Sequence, residues 1–275
     1  MFSTLRGKAL GGLLALALAV GVLVPAAASA SLDAHGNVIK LVKPSLRANA
    51  NESSNWFGYN QGMLERGGKR FHSIAGDWNV PRATQHKRGR AESSSTWIGI
   101  GGGCVDARCN IGDNTLIQTG TEQDVSSSGK GSYSAWWEVI PGPSVTIGKL
   151  KVRPGDHMHA NIAEVRPNVW RITLRNVTRD QTFRTTVPYT STHATAEWIE
   201  ETPVVVGTNA GIADLPNLSR TIFNGGRTNG APAGLRSSER ILLTSNNKVV
   251  GTPSAPDRQH DGFALCAWSN RCWTR

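Results

Sequence analysis

Beyond residue 54 the chain alternates apolar and polar positions in short runs, and Gly, Pro, Asn and Asp punctuate them. This pattern predicts strands at 71–80, 94–100, 115–121, 132–140, 157–165 and 169–176. It predicts further strands at 182–187, 195–200, 220–223 and 241–244, with 249–252 closing a hairpin. Turn residues fall at Arg166-Pro167-Asn168, Thr178-Arg179-Asp180 and Asn246-Asn247, where antiparallel neighbours need them. Past the N-terminal apolar segment no stretch carries a sustained helical repeat. Many short strands at this spacing give an all-β chain, a sandwich of antiparallel sheets and not a parallel α/β sheet.

Alternation also assigns faces. In 132–140, Tyr133, Ala135, Trp137 and Val139 point one way, and Ser134, Trp136, Glu138 and Ile140 the other. Trp136 and Glu138 thus share a face, as an acid in an aromatic-walled cleft would require. In 195–200, Thr195, Glu197 and Ile199 oppose Ala196, Trp198 and Glu200. Two strings stand out: Leu116-Ile117-Gln118-Thr119-Gly120 and Ala194-Thr195-Ala196-Glu197-Trp198-Ile199. Each sets one chemically competent side chain among residues that usually face a core. Desolvation raises the pKa of a carboxylate in such surroundings, which suits a general acid/base. A carboxamide nearby can donate to a developing oxyanion without titrating.

Residues 1–30 carry Arg6 and Lys8, an apolar run over 9–24, and Ala28 and Ala30 as a small-x-small cleavage signature. The apolar run is short for a membrane span and leads into the cleavage site, so the pattern predicts a signal segment and secretion. Removing it leaves about 245 of the 275 residues, enough for a full core, and lowers the net charge from +10 to about +8. Residues 31–54 are polar and aperiodic, a flexible arm or short pro-segment; 55–275 form the sandwich domain. The basic residues are scattered apart from a cluster at 86–90, and no nucleic-acid motif accompanies them. In an oxidising compartment, the short separations pair Cys104 with Cys109 and Cys266 with Cys272 as loop staples. Asn51, Asn176 and Asn217 begin glycosylation sequons.

The nucleophile elbow, the zinc-protease helix and the aspartic-protease loop are all missing from the sequence. His157-x-His159 puts two imidazoles on one strand face, a weak signal that an exposed strand explains as well.

The chain resembles the secreted glutamic peptidases, or eqolisins. The matching pieces run in the family's order: Asn55-Trp56, Trp78-Asn79-Val80-Pro81, Trp97-Ile98-Gly99-Ile100, Leu116-Ile117-Gln118-Thr119-Gly120, Tyr133-Ser134-Ala135-Trp136-Trp137-Glu138, Asn176-Val177-Thr178 and Ala196-Glu197-Trp198-Ile199. The resemblance implies two strongly bent antiparallel sheets of the concanavalin A or legume-lectin kind, with substrate in the concave face. It implies Gln118 and Glu197 as the catalytic pair, with Trp97, Trp136 and Glu138 lining the cleft and Glu122 as a supporting partner. It further implies a secreted, monomeric endopeptidase acting on protein or peptide, needing no cofactor or metal. Neither nucleic acid nor, once the signal is removed, membrane is an expected partner. The chain departs from the family at Gly101, where an acid often follows the Trp-x-Gly-Ile string, and in its basic charge. Past residue 201 the match thins.

Two other functions fit a sandwich. A glycoside hydrolase would pair Glu138 with Glu197 and use Trp97 and Trp136 as sugar platforms. A carbohydrate-binding module would keep the fold without chemistry, but binding alone does not need both the Gln-Thr-Gly and Ala-Glu-Trp strings.

Overall fold

The computed structural model describes residues 38–40, 52–206 and 211–274. The predicted signal segment and Asn51, the acceptor of the first sequon, lie outside the described residues, as does most of the predicted arm. Two pieces of that arm are strands: Val38–Lys40 pairs antiparallel with Val204–Val206, and Glu52–Ser53 runs parallel to Leu242 and Leu243.

The principal strands in chain order are β1 (Trp56–Gly62), β2 (Ser73–Asn79), β3 (Glu92–Gly101), β4 (Leu116–Val125) and β5 (Gly131–Val139). There follow β6 (His157–Arg166), β7 (Val169–Asn176), β8 (Gln181–Pro188) and β9 (Thr195–Glu201). The last are β10 (Thr221–Thr228), β11 (Arg240–Ser245), β12 (Lys248–Pro253) and β13 (Phe263–Ala267). One sheet runs β8-β7-β6-β2-β10-β13-β12-β11 and the other β1-β9-β3-β4-β5, joined where β11 pairs with β1. All these pairings are antiparallel, so the sandwich expected from the strand pattern is what forms.

The predicted turns have the backbone they need: Asn168, Asp180, Asn246 and Asn247 all have positive φ, which Asn and Asp tolerate. Two strands escape the alternation test. β1, WFGYNQG, carries two glycines and puts Asn60 and Gln61 on opposite faces, so no sustained alternation marks it, and β13 is a brief apolar run. β10 also extends well past its expected end, because the register shifts between Asn224 and Arg227 and lets pairing resume. Asn176 cannot serve as a glycosylation site in this fold: it is buried and its Nδ2 donates to Lys151 O and Asp156 Oδ2.

The core lies between the sheets. Ile74 and Trp78 of β2, Met158, Ala160 and Ile162 of β6 and Trp170 of β7 meet Ile98, Ile100, Ile117, Ala196 and Trp198 from the other sheet. Trp198 Nε1 donates to Ala75 O across the gap (3.0 Å), which satisfies an indole that packing alone would leave unpaired. Glu200, on the same face of β9 as Trp198, is fully buried there. It accepts a 2.6 Å bond from Thr96 Oγ1, within a polar cluster that includes Ser94, Thr121 and Gln123. Burial pushes the Glu200 carboxyl up to about 7, against the lowering effect of the Thr96 and Ser94 hydroxyls.

Candidate active site

The opposite face of the β1-β9-β3-β4-β5 sheet is built in rows of directly opposed residues. The first row reads Asn60, Glu197, Gly99, Gln118, Glu138. The second reads Gly58, Ile199, Trp97, Gly120, Trp136, and the third Trp56, Glu201, Ser95, Glu122, Ser134. All six residues expected at the site therefore share one face, because the pleat sends every second side chain the same way. A second apolar cluster floors it: Trp56, Trp97, Leu116, Trp136, Ile199 and Ile241.

Gln118 and Glu197 flank Gly99 within a single row. Two strand spacings set their Cα atoms about 10 Å apart, and the residue between them has no side chain. A Cβ at Gly99 would lie 2.9 Å from Trp97 Cζ3 and 3.0 Å from Leu116 Cδ1. Gly99→Ala is thus expected to jam the Trp97 ring and narrow the space between the two polar groups. The expected cost is about 100-fold in kcat/KM, with a melting point only a few degrees lower. Wild-type turnover in that variant, measured on any cleavable substrate, would remove Gly99 from the site.

Hydrogen bonds fix the surrounding groups. Gln118 Nε2 donates to Glu138 Oε2 (2.7 Å), which orients the carboxamide and leaves its second N–H free. Trp97 Nε1 donates to Glu201 Oε2 (2.9 Å), and Asn55 Nδ2 to Glu201 Oε1 (3.1 Å). Trp136 Nε1 donates to Ser95 Oγ (3.0 Å), and Ser134 Oγ to Glu122 Oε2 (3.1 Å). Glu122 therefore sits one tryptophan row away from Gln118 and supports the edge of the face.

Glu197 is wholly buried, and neither carboxylate oxygen has a hydrogen bond of ordinary geometry. Its pKa is pushed well above the usual 4.5, first by desolvation and further by the charge of Asp113, with the Thr195 hydroxyl working against both. The segment after β3 closes over it. Asn60 Nδ2 donates to Cys104 O (2.9 Å) and Gly103 N to Thr195 Oγ1 (3.2 Å), while the Cys104–Cys109 disulfide staples the loop. A Cβ at Gly103 would run into Asn60 Oδ1 and lie 2.7 Å from Glu197 Oε1, so only glycine allows this approach. Gln118, Trp97, Trp136, Glu138 and Glu122 are buried as well. The face that was expected to be an open cleft is covered in this conformation.

Glu201, Asn60, Gly103 and Asp113 are the site residues that the sequence reading missed. Continuing the period of two from Glu197 through Ile199 reaches Glu201, so that signal was present. Asp113 comes from a loop and had none. It stands electrostatically close to Glu197 although Gly101 occupies the position where the family's acid is expected.

The row geometry bears on the sugar-hydrolase alternative. Glu138 and Glu197 are three strand spacings apart, about 14 Å between Cα atoms, with Gln118 bonded to Glu138 in between. Paired glycosidase carboxyls face each other across the scissile bond, whereas here Gln118 stands between the two and is bonded to Glu138. Gln118 is the nearer partner for Glu197.

The peptidase A4 family profile matches residues 54–260. Scytalidopepsin B from Scytalidium lignicola is 27% identical over 141 residues, covering 50% of this chain and 47% of that protein. The chain thus matches about half the length of this curated relative. Among solved structures, scytalido-glutamic peptidase with a transition state analog inhibitor superposes with a TM-score of 0.60 at 18% identity, covering 78% of this chain and 98% of the other. SCP-B, described as a member of the eqolisin family in complex with the tripeptide Ala-Ile-His, gives a TM-score of 0.54 at 19% identity over the same shares.

Proposed function

Because the chain belongs to the peptidase A4 family, we propose that it is a secreted endopeptidase in which Glu197 activates water and Gln118 steadies the oxyanion. Ionised Glu197 takes a proton from a water held over Gly99, and the water oxygen bonds to the scissile carbonyl carbon. The carbonyl electron pair moves onto oxygen, where the free N–H of Gln118 stabilises it. Glu197 then gives its proton to the amide nitrogen, the C–N bond breaks, and the carbonyl re-forms.

The observation that carries this reading is the placement of Glu197 and Gln118 on either side of a residue without a side chain. Glu138 aims the carboxamide, and Glu201 holds the Trp97 indole that walls the row. For a peptide to reach Glu197, Gly103 and its stapled loop must withdraw from it. Withdrawal also admits water to Glu197, which lowers its pKa and lets it act as base. The two disulfides suit the oxidising compartment to which a signal segment would deliver the chain.

The test is incubation of purified protein with a denatured protein substrate, and separately with polysaccharides, across acidic to neutral pH. Peptide cleavage that resists pepstatin-type, serine, thiol and chelating inhibitors is expected. Sugar release without proteolysis, or cleavage abolished by a serine or thiol reagent, would overturn the assignment.

A further inference from the structure

A different cluster of donors gathers beside the lead-in to β9, on the side chains of His72, Glu164 and His193. His72 Nδ1 lies 2.7 Å and His193 Nε2 3.0 Å from the same oxygen, Glu164 Oε2. Among the described residues, this is the only group of three His, Cys, Asp or Glu side chains whose ligand atoms all lie within 4.8 Å of one another. A cation with bonds of about 2.0–2.2 Å in tetrahedral geometry needs its ligands about 3.3 Å apart. Each nitrogen lies 2.7 or 3.0 Å from Glu164 Oε2 and within 4.8 Å of the other nitrogen, so small rotations of the side chains would admit an ion.

The supports are in place too. Glu164 Oε1 accepts a 2.8 Å bond from the Asn168 amide, which fixes the carboxylate and presents Oε2 to both imidazoles. The His193 ring packs on Trp170 with centroids 5.4 Å apart, and on His72 at 4.4 Å. The His72 side chain is 53% exposed, so solvent reaches the open side. The Asp77 cluster makes a useful contrast. There His157 and His159 each approach a different carboxylate oxygen, at 3.0 and 3.1 Å, and the nitrogens do not converge on one point.

We propose that His72 Nδ1, His193 Nε2 and Glu164 Oε2 form a binding site for one divalent transition cation of the zinc class, with water as the remaining ligand. Two imidazoles and one carboxylate are a donor set that zinc accepts. The site joins three segments: the residue before β2, the end of β6 and the turn that leads into β9. Phe71 N already donates to His193 O (2.9 Å), and a bound ion would clamp this junction four residues before Glu197. The role is structural and independent of whether Glu197 is the catalytic base.

The experiment uses the intact protein, stripped with a chelator and then dialysed near neutral pH. Zinc chloride is titrated by calorimetry, melting is followed with and without zinc, and cobalt(II) is added as a spectroscopic probe. One equivalent of zinc is expected to bind, with a melting point about 5–10 °C higher at hundredfold excess over Kd. Intense visible bands of tetrahedral cobalt should appear alongside. His72→Ala and His193→Asn, the latter chosen because Asn tolerates the positive φ at residue 193, should each weaken binding more than tenfold. A His157→Ala/His159→Ala double variant should bind as the wild type does. Absence of saturable binding would overturn the site and leave the cluster as a hydrogen-bonded trio. So would binding that survives both His72→Ala and His193→Asn, or is lost in the His157/His159 variant.

Discussion

Glu197→Gln is expected to lower kcat about 10³- to 10⁴-fold while the protein stays folded. Glutamine has nearly the same shape but can neither take a proton from water nor return one to the amine. The site loses its general base and its general acid together. Stability should not suffer, since a neutral side chain at a fully buried position removes a desolvation cost. Near neutral pH the variant should melt at or above the wild-type temperature, which separates lost chemistry from lost structure. In the wild type, kcat/KM should fall as pH drops below the pKa of Glu197 in the free enzyme. That pKa lies above the ordinary 4.5, so the acid limb belongs above it too. Gln118→Ala should cost about 10²- to 10³-fold, as loss of one oxyanion donor does. Proteolysis near wild-type rates in the Glu197→Gln protein would end the assignment.

The second large effect is on stability. Glu197, Glu200 and Glu201 are all buried on β9 with raised pKa values, chiefly from desolvation. For Glu200 the folded value of about 7 exceeds the ordinary 4.5, so between these two pH values the native state holds a proton that the unfolded state has released. Stability is therefore greatest below 4.5 as far as this group is concerned, and is lost as pH rises through about 7. The loss for Glu200 alone is about 3 kcal/mol, or roughly 10 °C in melting temperature for a chain of this size. Asp77, Asp156 and Asp214 act in the opposite sense. Burial pushes each upward, but hydrogen bonds and charge from His159 and His157, Arg179, and Lys87 and Arg90 outweigh it and hold them below 3.8. Their stabilisation fades as pH falls below that value, so the optimum is expected at about pH 4–5. Glu200→Gln should flatten the decline towards neutral pH. If the slope of melting temperature against pH is unchanged in that variant, the decline does not originate at Glu200. Catalysis and stability then pull apart: the fold favours protonated glutamates, whereas turnover needs Glu197 ionised.

Most strands were legible from apolar runs and alternation, and β7 formed over the residues predicted. Even the fully buried β3, β4 and β9 were found. β1 was not, because its two glycines and the neighbouring Asn60 and Gln61, one on each face, leave no sustained period. Facing was legible as well. Trp136 and Glu138 do share a surface with Gln118 and Glu197, and Ala196 and Trp198 do turn to the core. Register was the missing quantity. The placement of Gly99 directly between Gln118 and Glu197 depends on how three strands pair, and no single strand encodes that. Nor did the sequence foretell the stapled loop, since its closeness to Glu197 rests on glycine at 103 and on long-range bonds from Asn60 and Thr195. Glu200 was correctly set opposite Glu197, but only the second sheet makes that position an interior one.

The most direct measurement is a crystal structure of the protein with a peptide analogue whose tetrahedral centre mimics the attacked carbonyl. The two geminal oxygens should sit over Gly99, one within hydrogen-bond distance of a Glu197 carboxylate oxygen and the other of Gln118 Nε2, with Gly103 moved away from Glu197. An analogue bound with its tetrahedral centre remote from both side chains, or seated with the Cys104–Cys109 loop still closed over Glu197, would contradict the dyad.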